Sequence, residues 1–249
     1  MSIELHMGPL DPVLSWADFC RVAPAFSVAL DGYVNEGPQW DPFGPRQNLN
    51  HHEGVDRFAT RATCEQVLFN IRLGMFERFR NADGVPTMLA YVNDCDEDVC
   101  LSWFLLKNFI LVDNTINLLT NKLVSVEGLM DAAAGAYPLS PDLEILQTMN
   151  WIFAPYRRFR VSGQIDHRDA NEFREVVTGV EHRIEKYLAG RAQVVPLDTK
   201  YEVIHQGHEW TMIKEIGINA KSGMYHKGIH AYVAMRERPN GRWSYTVGR

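Results

Sequence analysis

Residues 87–106 read TMLAYVNDCDEDVCLSWFLL, and this stretch decides the predicted fold class. The apolar run that ends at Val92 predicts a buried strand, and the run that begins at Val99 predicts a helix that is apolar almost all round. Between the two runs lie four acids, Asp94, Asp96, Glu97 and Asp98. A strand that leads through a short turn into a buried helix is typical of α/β proteins with a largely parallel sheet.

Two earlier segments fit the same pattern. FSVALDGY, residues 26–33, predicts a short buried strand that leads to Asp31, and residues 58–80 place their apolar side chains on one face of a helix. A loop rich in glycine and proline separates the two segments. Ligands of parallel sheets bind beyond the carboxyl ends of the strands, so we expect Asp31 and Asp94 to lie at the same edge.

The sequence predicts three parts along the chain. Residues 1–124 form an α/β metal-binding domain, whose mainly parallel sheet has flanking helices, and residues 125–193 form a helical connector with Ser125 as an N-cap. Residues 194–249 form a small β-rich substrate domain. Its last two strands alternate apolar and polar residues around Asn240-Gly241, which is a strong hairpin signal.

Composition limits the classes of function. The formal charge of −6 argues against broad binding of long duplex nucleic acid, but it leaves room for a small anionic substrate. The four cysteines form no Cys-x-x-Cys pair, and no apolar run reaches the ~18 residues that span a bilayer. The start, MSIELHMGPLDP, lacks the pattern of a secretory signal. We therefore expect a cytoplasmic protein without a membrane partner, for which a homodimer is one option.

The acidic run offers two interpretations. Asp94 and Asp96, one residue apart at a strand-to-helix turn, can point into one cleft and supply the oxygen ligands that Mg²⁺ or Mn²⁺ prefers. Alternatively, Asp96 is the N-cap of the following helix, with Glu97 and Asp98 complementing its dipole. Capping leaves Asp94 unexplained, which favours a metal site.

Other candidate ligands lie outside this run. Asn50-His51-His52 precedes the predicted helix at 58–80, and adjacent imidazoles can serve a metal ion and a substrate phosphate, although two surface histidines are the alternative. Asp31 and Asp113 are single carboxylates that follow apolar runs. Single aspartates in such positions often only form turns, so they are candidate ligands only if they lie close to the other clusters.

These pieces resemble the DHH phosphoesterase superfamily, whose members hydrolyse phosphodiester or related bonds with paired divalent metal ions, commonly Mn²⁺. Asn50-His51-His52 resembles the Asp-His-His motif, and Asp94-Cys95-Asp96 resembles the Asp-x-Asp motif. Asp31 and Asp113 resemble further single aspartates of the family. Residues 223–249 resemble the start of the DHH-associated domain.

The resemblance implies a set of roles. Two Mn²⁺ or Mg²⁺ ions would be held by Asp31, His51, Asp94, Asp96 and Asp113. The catalytic residues would be His51 and His52. The residues that contact a small anionic nucleotide or phosphodiester substrate would be Asn50, His226, His230 and Arg236. The implied function is a metal-dependent phosphoesterase with a two-metal mechanism.

The chain also departs from the family pattern. The Asp-x-Asp motif follows the histidine pair instead of preceding it, and Asn50 replaces the first Asp of the histidine motif. The family pattern also implies a later glycine-rich segment, so we expect either a chain truncated after Arg249 or a different substrate side. Two alternatives therefore stay open: a catalytically impaired nucleotide-binding or regulatory protein, and an unrelated metal hydrolase of non-phosphate bonds.

Overall fold

A computed structural model describes most of the chain. The described ranges are residues 2–57, 59–113, 118–133 and 137–248. By packing, the chain divides into two compact units, the first formed by residues 1–132 with 168–181, and the second by residues 133–167 with 182–249. The division into three functional parts at residues 124 and 193 stays a prediction.

The first unit is built on a five-stranded sheet with the order β1-β5-β2-β4-β3. Its strands, in chain order, are β1 (Ser2–Met7), β2 (Ser27–Leu30), β3 (Gln39–Asp41), β4 (Arg46–Leu49) and β5 (Thr87–Val92). All neighbouring pairs are parallel except β3 and β4. The predicted α/β class is therefore confirmed, with a sheet that is mixed but mostly parallel.

Ten α-helices are found in the described ranges. In chain order they are α1 (Trp16–Val22), α2 (Thr63–Arg72), α3 (Met75–Arg78), α4 (Glu97–Lys107), α5 (Ile110–Asp113), α6 (Leu118–Ala132), α7 (Glu144–Ile152), α8 (Ala154–Val161), α9 (Ala170–Leu188) and α10 (Ala220–His226). None of these helices combines the length and the apolar character that a membrane-spanning segment requires.

The helix predicted at residues 58–80 is shorter and broken. Residue 58 lies outside the described ranges, α2 begins at Thr63, and the chain turns at Gly74 before α3. Gly74 has a φ of 81°, which places it in the left-handed region that other residues adopt at a cost. Ser125 lies inside α6, so its assignment as an N-cap was wrong.

The second unit carries a separate four-stranded sheet, ordered β6-β7-β8-β9. Its strands are β6 (Tyr201–Gln206), β7 (Thr211–Glu215), β8 (Tyr232–Glu237) and β9 (Trp243–Gly248). The last two strands pair antiparallel on either side of Asn240-Gly241, as the hairpin signal predicts. β7 and β8 are parallel, because α10 connects them.

Candidate metal centre

Three parallel strands bring their carboxyl ends to one edge of the first sheet. β2 ends at Leu30 directly opposite Leu49, where β4 ends, and β5 lies on the other side of β2. The segments that follow these ends carry Asp31, Asn50 to His52, and Asp94. This is the edge at which the sequence places the ligands, so the parallel topology gathers residues that lie up to about 60 positions apart in the chain.

His51 lies at the centre of the cluster, with a side chain that is 0% exposed. Its Nε2 lies 2.9 Å from Oδ2 of Asp131, 3.3 Å from Oδ1 of Asp31 and 3.6 Å from Oδ2 of Asp98. Within the described residues, neither ring nitrogen has a partner in hydrogen-bond alignment. A single N–H serves one acceptor well, so a proton on Nε2 cannot satisfy all three carboxylates.

This arrangement could hold a metal ion. Two sets of side chains have ligand atoms within 4.8 Å of one another, one of Asp31, His51 and His52 and the other of His51, Asp98 and Asp131. Ligands at right angles about 2.1 Å from a small divalent ion lie about 3 Å apart, close to the spacing of the groups around His51. The donor set is mostly carboxylate oxygen, which suits hard cations, although the geometry does not fix the metal.

Asp98 reaches this cluster from the first turn of α4, and it also caps another helix. Its two carboxylate oxygens accept hydrogen bonds from the backbone N–H groups of Thr63, at 2.7 Å, and Cys64, at 2.6 Å. The N-cap residue of α2 is Ala62, whose methyl side chain cannot accept a hydrogen bond. One carboxylate therefore connects the start of α2 to the imidazole of His51.

Asp131 comes from the end of α6. Arg57 donates a 2.9 Å hydrogen bond to the backbone oxygen of Asp131, and the same Nη2 lies 3.3 Å from both carboxylate oxygens. The sequence pattern places this helix in the predicted connector and gives Asp98 only a capping role, so neither residue was predicted as part of the cluster. No local signal marks either residue as a ligand, since the tertiary fold alone brings α6 to His51.

Asp31 is shared by both histidines. Its Oδ1 lies 2.8 Å from Nε2 of His52 and accepts a 3.0 Å hydrogen bond from the hydroxyl of Thr63. Asp31 has a φ of 47°, an uncommon value for a residue other than glycine. Strained backbone of this kind persists where surrounding contacts hold it, and such positions often belong to functional sites.

Asn50 orients the histidine loop from within the protein. Its Nδ2 donates to the backbone oxygens of Val34, at 3.1 Å, and Glu36, at 3.0 Å, while its Oδ1 accepts from the N–H of His52 at 3.0 Å. The residue is fully buried. Asn50 is therefore occupied with protein partners, and its role in substrate binding stays a prediction.

A cavity of about 460 Å³ opens beside the cluster. Asp31 and His52 line it together with acids that follow β5 and the histidine pair, namely Asp94, Asp96 and Glu53. The side chain of Asp96 accepts from the N–H of Val99 at 2.9 Å, so the capping interpretation is confirmed for Asp96. Asp96 can cap α4 and line the cavity at the same time, because a carboxylate has several lone pairs.

The cluster has an excess of negative charge. Burial and the neighbouring carboxylates of Asp31 and Asp131 raise the pKa of Asp98 to about 7. Burial, Asp31 and Asp94 also raise the pKa of Asp96 well above its usual range. Burial opposes the charge on His51, but Asp131 and Asp31 outweigh it and raise the pKa of this imidazole to about 10. A cation inside the cluster would relieve this repulsion.

The remaining predicted site residues lie elsewhere. Asp113 is the last residue of α5, and its carboxylate interacts electrostatically with Arg80. Arg80 forms a β-bridge with Pro86, just before the amino end of β5. Three belong to the second unit: His226 and His230, which are exposed, and Arg236, whose Nε donates to Glu215 at 2.9 Å. Their role in substrate binding stays a prediction.

Comparisons with known proteins give no relatives. No family model matches the chain, and no curated protein or solved structure is significantly similar to it. We therefore argue function from the geometry and chemistry of the site.

Proposed function

We propose that the protein is a metal-dependent phosphohydrolase of the DHH type that acts on a small phosphodiester or nucleotide. The observation that supports this proposal is the convergence of Asp31, Asp98 and Asp131 on one buried nitrogen of His51. Even with a protonated His51 and with Arg57 beside Asp131, three ionised carboxylates leave one formal negative charge that a divalent cation would balance. Phosphate esters are anions that such cations bind and activate.

The ligands of the proposed centre divide into two sets. Asp98, Asp131 and His51 would hold one ion, and Asp31 would hold a second at the edge of the cavity, beside His52. Asp31 faces both histidines, so its carboxylate could contribute to either set. When bound, a pair of Mn²⁺ or Mg²⁺ ions would supply charge neutralisation and a reactive water near neutral pH.

His52 is suited to proton transfer. Its side chain is one-third exposed at the cavity, and its Nε2 is held 2.8 Å from Asp31. A partner carboxylate fixes the orientation of an imidazole, and a ring held in this way can carry a proton to a leaving oxygen. Asp94, which also lines the cavity, would disfavour anionic substrates unless cations are present.

The cell compartment belongs to the same proposal. All four cysteines, Cys20, Cys64, Cys95 and Cys100, are free. Free thiols are typical of proteins in a reducing environment, so we propose a cytoplasmic location.

The direct test compares two matched substitutions in a phosphodiesterase assay. With Mn²⁺ and bis-p-nitrophenyl phosphate, Asp131→Asn should lower kcat/KM by about 100-fold or more, because it removes a charged ligand. Asp113→Asn makes the same chemical change at a carboxylate outside the cluster and should retain activity within about two-fold.

Circular dichroism should show that both variants fold. An active Asp131→Asn variant, or wild-type activity unchanged by EDTA, would contradict the proposal. Tight nucleotide binding in a calorimeter without any turnover would support the alternative of a binding protein on the same fold.

A further inference from the structure

The sheet of the second unit has one covered and one open face. On the covered face, Ile213, Tyr232 and Ala234 are buried in a cluster with Met224 of α10. Side chains on neighbouring positions of each strand point the other way. Among the described residues, those on this open face of β7, β8 and β9 are Met212, Lys214, Val233, Met235, Glu237, Trp243, Tyr245 and Val247.

The open face is apolar, aromatic and accessible. Trp243 is 38% exposed, Tyr245 60% and Val247 77%, and the strand register places them beside Glu237, Met235 and Val233 respectively. Trp210, which immediately precedes β7, is also exposed. Contiguous exposed apolar surface of this kind on a folded unit usually marks an interaction site.

Positive charge accompanies these rings. The ammonium of Lys214 lies 5.3 Å from the centre of the Trp243 ring, and Arg242 immediately precedes Trp243. Two acids share the face, Glu202 opposite Lys214 and Glu237 opposite Trp243. Over the whole second unit, 14 Lys and Arg stand against nine Asp and Glu, a formal charge of +5 in a chain whose total is −6. Such a charge asymmetry points to an anionic partner.

We propose that the open face of this sheet, defined by Trp243, Tyr245 and Lys214, binds single-stranded nucleic acid. Unpaired bases would stack on the two rings, and Lys214 would neutralise the neighbouring phosphate. This binding surface lies in the second unit and does not depend on the metal cluster. A DNA or RNA duplex is a poorer partner, because its bases already stack on one another.

Other occupants fit these features less well. A second copy of the chain, bound through the same face, would bring two units of charge +5 together, and like charges at an interface oppose association. An acidic peptide would match the charge but would leave Trp243 and Tyr245 without planar partners. Aromatic rings beside cations are the combination that single-strand-binding surfaces use.

The test measures binding of a fluorescein-labelled 12-nucleotide oligothymidylate to the full chain by fluorescence anisotropy. EDTA is present throughout, so that metal-dependent cleavage cannot interfere. Tyr245→Ala and Trp243→Ala should each weaken binding by about five- to 150-fold, which corresponds to the loss of one stacked base. Tyr245→Phe keeps the ring and should bind like the wild type.

Phe43→Ala is the matched control, because Phe43 is an aromatic residue of the first unit that is 96% exposed. It should leave affinity unchanged. Lys214→Ala should weaken binding. It should also reduce the slope of the logarithm of the binding constant against the logarithm of salt concentration by about one.

Four outcomes would overturn the proposal. The first is no oligothymidylate binding at low salt, and the second is equal affinity for the wild type and both ring-to-alanine variants. The third is a concentration-dependent dimer in sedimentation experiments that Tyr245→Ala converts to a monomer, since this would assign the face to a second copy. The fourth is competition by a 12-residue oligoglutamate that is as strong as competition by unlabelled oligothymidylate, since this would show that charge, without stacking, explains the binding.

Discussion

Asn50 begins the stretch that resembles an Asp-His-His motif, so Asn50→Asp would complete the motif that the stretch resembles. We predict that this substitution nevertheless destabilises the protein, by about 3 kcal/mol or more, because a buried carboxylate cannot donate to the backbone oxygens of Val34 and Glu36 and brings an unpaired charge. Urea unfolding in EDTA measures the change in free energy.

Asn81→Asp provides a matched control for this residue. The side-chain oxygen of Asn81 accepts hydrogen bonds from the N–H groups of Asp83 and Val85, and a carboxylate can accept both. Its free energy of unfolding should stay within about 0.5 kcal/mol of the wild type. Equal stability of Asn50→Asp and Asn81→Asp would show that the donor role of Asn50 is wrong.

At the scale of elements, the turn at Gly74 separates two helices that the apolar pattern joins into one. A Cβ added at Gly74 would meet only the side chain of Glu77, at 3.8 Å, so space is not the constraint. The cost of Gly74→Ala is therefore that of the left-handed backbone, and we predict a loss of about 1 kcal/mol in urea unfolding. Leu73→Ala, at an exposed neighbour, should change stability less. A Gly74→Ala protein as stable as the wild type would contradict this explanation.

The elements that the sequence reveals are those with strong apolar patterns. β5 and α4 follow from the stretch at residues 87–106, and β2 follows from its apolar run, so Asp31 and Asp94 could be placed at one edge. β4, whose sequence is RQNL, has almost no apolar signal, and its pairing with β2 is what stabilises it as a strand. Because β4 was missed, the position of His51 could be guessed only from its motif.

Asp98 and Asp131, the two cluster residues that the sequence did not predict, show why a site is harder to predict than a sheet. Asp98 looks like an ordinary first-turn acid, and its role depends on the backbone N–H groups of Thr63 and Cys64, which belong to a distant helix. Asp131 depends on the packing of α6 against α2. Neither relation leaves a periodic pattern, because each is a single contact between elements that lie far apart in the sequence.

For the whole molecule, the two units differ in charge as sharply as they differ in fold. The first unit carries 22 Asp and Glu against 11 Lys and Arg, a formal charge of −11, whereas the second has a formal charge of +5. The negative charge of the first unit is consistent with a cation site there, and the positive charge of the second unit is consistent with an anion-binding face. The total of −6 hides this division, which is why composition alone argued against broad binding of long duplex nucleic acid.

This division leads to a prediction about metal binding and stability. A ligand that binds only the folded state stabilises it by about 2.7 kcal/mol when its concentration is 100 times its Kd. If the cluster around His51 holds Mn²⁺, the ion should slow amide hydrogen exchange in the segments that carry the ligands, which include the ends of β2, β4 and α6. The second sheet, β6 to β9, supplies none of these ligands and should exchange at an unchanged rate. Hydrogen-exchange mass spectrometry with Mn²⁺ or EDTA measures both units in one sample. Asp131→Asn should abolish the protection and Asp113→Asn should retain it, whereas uniform protection of both units, or none in the first, would contradict a metal centre at His51.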